Sequence, residues 1–138
     1  MRRDPAKAIL VFDAMLQFFD GGRRWMRGDV YDTRKEKACL VGAAVLCAAE
    51  PRSEYQITVG EPDHNAYHYL YTAFTKTSAF KRYDNLDTGL DLETYNDNSR
   101  SFARIEKLIL AARELAQAEI DEARDHCITA PLHQRAIA

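Results

Sequence analysis

With 138 residues, 46% of them hydrophobic and 29% charged, the chain has the size and make-up of one soluble globular domain. A net charge of −2 excludes a strong overall pull toward nucleic acid or anionic membrane. Cys39, Cys47 and Cys127 lack the spacing of a disulfide framework or a zinc site, and no apolar run reaches the ~18 residues of a membrane span.

In chain order, Asp4-Pro5 reads as an N-cap followed by proline at the first helical position, opening a helix over residues 5–19. Gly21-Gly22 supplies its left-handed stop. This helix is apolar over more than half its surface, so it is expected to be central in a bundle or covered by a partner, a second copy included. The basic start before an apolar run imitates a secretory leader. Asp13 interrupts that run, however, and Gln17-Phe18-Phe19-Asp20 is a poor cleavage site, so a cytoplasmic location is expected.

Residues 23–33 show no period and read as a loop or short extended arm. A nearly all-apolar helix is expected over 37–49, with Gly42 tolerable where another backbone packs close. Tyr55–Val59 alternates weakly without a mate and reads as a loop. Pro62-Asp63 opens a third helix over 63–80, with Tyr67, Leu70, Tyr71 and Phe74 on one face. A polar loop follows from Asp84 to Asn98. Ser101 then caps a fourth helix over 101–125, whose stripe is Ile105, Leu108, Ile109, Ala112, Leu115, Ala116, Ile120 and Ala123. The expectation is an all-α, single-domain bundle of about four helices over residues 1–127, with a loose tail at 128–138.

Charge is segregated within this plan. Residues 1–37 carry nine Lys/Arg against six Asp/Glu, while residues 84–97 carry five acids and no base. Two solvated loops facing each other explain this more simply than a basic patch with a partner. Arg23-Arg24-Trp25-Met26-Arg27 interleaves bases with an aromatic, as a platform for single-stranded nucleic acid would. One aromatic in a net-acidic chain makes Trp25 a better cap on the core than a stacking surface, so nucleic acid is a minor alternative.

His64 and His68 stand four apart on a predicted helix and can face one metal ion. Asn65-Ala66-Tyr67 between them lacks the glutamate of the His-Glu-x-x-His motif, so two surface histidines with no metal or other cofactor are expected. Asp84-Asn85-Leu86-Asp87 fails the calcium-loop spacing at Leu86. Arg27-Gly28-Asp29 matches an integrin tripeptide by chance.

Cys39 is the most interesting thiol. It lies at a predicted helix start after Lys35 and Lys37, a setting that favours thiolate. A cysteine-dependent hydrolase or acyl-transfer enzyme would add a histidine and orienting Asn96 or Asp97. A buried hydrophobe is the commoner fate of a free cysteine. Any site is expected where Trp25, Cys39, Asn96, Asp97 and Arg100 converge, with Arg24 beside them.

Three segments carry a resemblance: Arg24-Trp25-Met26-Arg27-Gly28, Cys39-Leu40-Val41-Gly42-Ala43, and Tyr95-Asn96-Asp97 followed by Arg100-Ser101. The chain resembles an uncharacterised family of small bacterial and phage-associated proteins over its middle and C-terminal two-thirds. Members carry Trp-x-x-Gly, Cys-Leu-x-Gly-Ala and Trp-Asn-Asp…Arg-Thr. Here Tyr95 stands for the tryptophan, the turn is shorter, and Ser101 replaces threonine. The resemblance implies a domain of unknown function and brings no activity with it. Without a complete catalytic set, a non-enzymatic interaction or regulatory protein, self-associating through the helix at 5–19, is the leading expectation.

Overall fold

The computed structural model describes residues 3–32, 34, 36–50, 52–82 and 88–129. Helix α1 (Pro5–Phe19) starts where expected, with the Asp4 carboxylate accepting from the Ala6 and Lys7 amides. Its stop falls one residue earlier than the glycine pair, because Asp20 itself takes the left-handed conformation and Gly21 follows it. Two short strands, β1 (Tyr31–Asp32) and β2 (Lys37–Ala38), pair antiparallel. The predicted helix at 37–49 therefore starts later and ends earlier, as α2 (Leu40–Leu46), since Lys37 and Ala38 are held in the ladder.

Two predicted loops are helices. Residues 54–59 form α3 (Glu54–Val59), because Ser53 and Gln56 close a reciprocal capping box and Gly60 ends the helix in the left-handed region. Helix α4 (His64–Thr75) is shorter than the predicted 63–80, and Asp63 caps it. The second correction is α5 (Thr88–Asn98), which replaces most of the polar loop predicted at 84–98; residues 84–87 lie outside the described set. Helix α6 (Phe102–Thr129) runs four residues beyond the predicted end, so Ile128 and Thr129 belong to it, and residues 130–138 lie outside the described set.

The molecule is mainly helical. Helices α1 and α6 run antiparallel, as the pairs Arg3–Glu119, Asp13–Arg113 and Phe19–Phe102 require. Between them and α4 lies the core of Val11, Phe12, Met15, Phe19, Leu70, Phe74, Ile105 and Ile109, all buried. The α6 stripe holds through Ala116, fades at Ile120, and is exposed at Ala123. On α4 the predicted face is rotated: Tyr69 is buried, whereas Tyr67 and Tyr71 are half-buried and stacked on each other with centroids 6.2 Å apart.

Helix α1 is central. It buries Ala8, Val11, Phe12, Met15 and Phe19, and packs Ile9, Leu16 and Phe18 against the core, leaving Leu10 at 65% exposure. Among the described residues no helix is long and apolar enough to cross a membrane.

Candidate functional site

The three segments singled out in the sequence meet at the N-terminus of α2. The connection from Arg24 to Val30 is laid along β2 by three backbone bonds. Met26 N–H donates to the Ala38 carbonyl (3.0 Å), Ala38 N–H to that of Arg24 (2.8 Å), and Cys39 N–H to that of Val30 (2.9 Å). Gly42 makes this possible. A Cβ there would collide with the Val30 carbonyl, so the close backbone approach expected of this glycine is real.

Asn96 projects from α5 into the junction and is fully buried. Its Oδ1 accepts from Trp25 Nε1–H (2.7 Å) and from the Leu40 amide (3.0 Å), while its Nδ2 donates to the Met26 carbonyl (3.0 Å). One side chain thus ties the Trp25 arm to the first turn of α2. It also satisfies an amide that the helix cannot pair internally. Next to it, Asp97 Oδ1 accepts from the Gly28 amide (2.8 Å) and from Asn96 Nδ2 (3.3 Å). Ser99, also buried, donates from Oγ to the Tyr95 carbonyl (2.7 Å), and Arg27 donates to the Ser99 carbonyl (3.2 Å).

Cys39 is the N-cap of α2, at 2% exposure, with Sγ accepting from the Gly42 amide at 3.4 Å. Burial pushes its thiol up to about 11, and the Glu93 and Asp97 carboxylates push the same way. The Gly42 and Val41 amides oppose them and lose. The thiolate that the helix start and Lys35 and Lys37 would favour is opposed by desolvation and two carboxylates, and Cys39 is buried, the commoner fate of a free cysteine. Cys47 is raised to about 11 by burial.

A pocket of about 190 Å³ opens beside the sulfur, lined by Gly28, Asp29, Val30, Cys39, Glu93 and Asp97. Burial and the neighbouring Asp97 raise the Glu93 carboxyl. Among the described residues the lining includes no histidine, and of its carboxylates Asp97 is engaged by the Gly28 amide. Glu93 was missed because 84–98 read as a loop; its spacing of four from Asp97 puts both on one face only once α5 is a helix.

Of the other candidates, Trp25 joins the clasp, its ring 6.2 Å from that of Phe102 and its N–H held by Asn96, which leaves it poorly placed to stack on a base. Arg24 lies over Phe18 and pairs with Glu36, and Arg23 pairs with Asp20. The two charged segments do meet, through amide and indole donors and, among the described residues, not through ion pairs of Arg23 or Arg24. Arg100 is exposed in the turn before α6, and it is Arg27 that donates to a carbonyl of that turn.

His64 and His68 lie elsewhere. They share an open cleft of about 760 Å³ with Arg3, Asp4, Pro5, Glu119 and Ala123. Among the described residues no group of three His, Cys, Asp or Glu side chains is arranged to hold a metal ion.

No family model, no curated protein and no solved structure matches the chain.

Proposed function

We propose that this chain is a non-enzymatic cytoplasmic interaction factor that associates with a second copy of itself, and that it belongs with the small bacterial and phage-associated family it resembles. The observation that carries the interaction reading is α3, none of whose side chains is fully buried and of which only Gln56 and Ile57 are half-buried. Tyr55 and Val59, four apart on one face, are 72% and 54% exposed, and Leu46 at the end of the adjoining α2 is 46% exposed. Exposed apolar side chains gathered on one face mark contact surfaces. Glu54 is the one charged residue of α3, so a copy packed about a two-fold axis meets apolar surface on apolar surface. We therefore put the contact on α3 and not on α1, whose exposed large hydrophobic is Leu10.

The cysteine-enzyme reading is weakened by a buried thiol raised to about 11, whose neighbour Asp97 is already taken by the Gly28 amide. The nucleic-acid reading is weakened by the pinned indole. Family membership is supported by the meeting of Trp25, Cys39 and Asn96 in one junction.

Light scattering across a concentration series tests the proposal. The wild type is expected to exceed the mass of one chain as concentration rises, and Tyr55→Ser with Val59→Ser to return it to a monomer. A wild type that stays monomeric, or an assembly indifferent to both substitutions, overturns it.

A further inference from the structure

The cleft that holds His64 and His68 also holds the fastening of the N-terminal end of α1. Arg3, just before that helix, donates from Nη2 and Nε to Glu119 Oε1 at 3.1 and 3.3 Å. Glu119, on α6, accepts at its other oxygen from Tyr69 Oη at 2.5 Å. Tyr69 is buried on α4, so the bridge links the chain start, α4 and α6 through a single carboxylate. A second bond, from the Asp4 amide to Asn65 Oδ1 (2.7 Å), fastens the same turn.

His68 sits against this bridge, its ring edge-on to Tyr69 with centroids 4.9 Å apart. Among the described residues, the charged or titratable groups around it are Arg3 and Asp4 from the chain start, His64 and Tyr69 from α4, and Glu119 from α6. Asp4 is engaged with the first amides of α1.

We propose that the Arg3–Glu119–Tyr69 bridge and the His68 ring beside it form a proton-operated latch, closed while His68 is neutral and released from Arg3 when it is protonated. A charged imidazole puts a second positive charge beside the guanidinium and competes with it for Glu119. Opening the first turn returns His68 to water and relieves both effects.

Burial, the Arg3 charge and, to a smaller degree, His64 hold His68 below its ordinary value, against the pull of Glu119. The folded state therefore binds that proton more weakly than the open one. The stability this contributes is present above about 6.5 and is lost as pH falls below it. Glu119 adds a separate limb at lower pH. Burial raises it, but its bonds from Tyr69 and Arg3 win and hold it below the usual carboxylate range, so its contribution vanishes only as acid protonates it.

The test is an NMR titration of the full chain from about pH 7.5 to about pH 5, following the histidine rings and the exchange protection of the Ala6, Lys7 and Ala8 amides. His68 is expected to titrate below the ordinary histidine range, with amide protection falling several-fold in the same step. In His68→Gln the step disappears, and in His64→Gln it remains. Glu119→Gln is expected to keep these amides poorly protected at both ends of the range. His68 titrating at or above the ordinary value, protection that does not change across the step, or a step that survives in His68→Gln overturns the latch.

Discussion

Polar residues fasten this molecule at both ends of the α1–α6 pair, and the two fastenings differ in kind. At one end Asn96 is sealed from solvent and bonded to Trp25, Leu40 and Met26, none of which titrates near neutrality. At the other, Glu119 binds Arg3 and Tyr69 at the edge of an open cleft, with His68 alongside. A buried amide bonded mainly to neutral groups, with the Asp97 carboxylate only at its exposed margin, fixes one geometry. An exposed, ionic network is held by charges that pH and salt can change. The difference locates rigidity at the α2–α5 junction and responsiveness at the N-terminal cleft.

The comparison is broken most severely by Asn96→Ala. It strips the Trp25 indole, the Leu40 amide and the Met26 carbonyl of their partner, and at ~1–3 kcal/mol for each unsatisfied buried group the loss is expected to reach about 3 kcal/mol or more in denaturant unfolding. Gly42→Ala comes next. Alanine is the better helix former by about 1 kcal/mol. Yet the collision with the Val30 carbonyl is expected to leave a net destabilisation of about 1–3 kcal/mol, and a more stable variant would show that the backbones do not approach as described. Trp25→Phe keeps an aromatic ring near Phe102 but removes one donor from Asn96, for a loss of about 1 kcal/mol. The smallest effect is expected from His68→Gln, which flattens the loss of melting temperature between neutral and mildly acid buffer and changes little at neutral pH.

The sequence disclosed the parts of the fold whose signal is apolar and periodic. The stripe from Ile105 to Ala116 and the Asp4-Pro5 start of α1 are both where the pattern puts them. Helix α5 was illegible because its buried face includes Asp91 and Asn96, polar residues that a hydrophobic period does not count. Helix α3 was legible in principle, since Ser53-x-x-Gln56 is a capping-box pattern, but its weak alternation suggested otherwise. At the candidate site the convergence of Trp25, Cys39, Asn96 and Asp97 was readable. Its chemistry was not, because whether a cysteine at a helix start is activated depends on desolvation and on Glu93, both set by tertiary packing. The Arg3–Glu119–Tyr69 bridge joins residues more than a hundred positions apart and has no local signature.

Whether the α2–α5 junction is scaffold or machinery is decided most directly by the rate at which each thiol of the native protein is alkylated near neutral pH, with the unfolded chain as reference. Burial and a thiol raised to about 11 leave Cys39 with a minute thiolate fraction, so it is expected to react at least ~100-fold more slowly than exposed Cys127. A native Cys39 that labels as fast as Cys127, or faster, would contradict the account and return the junction to the candidates for catalysis.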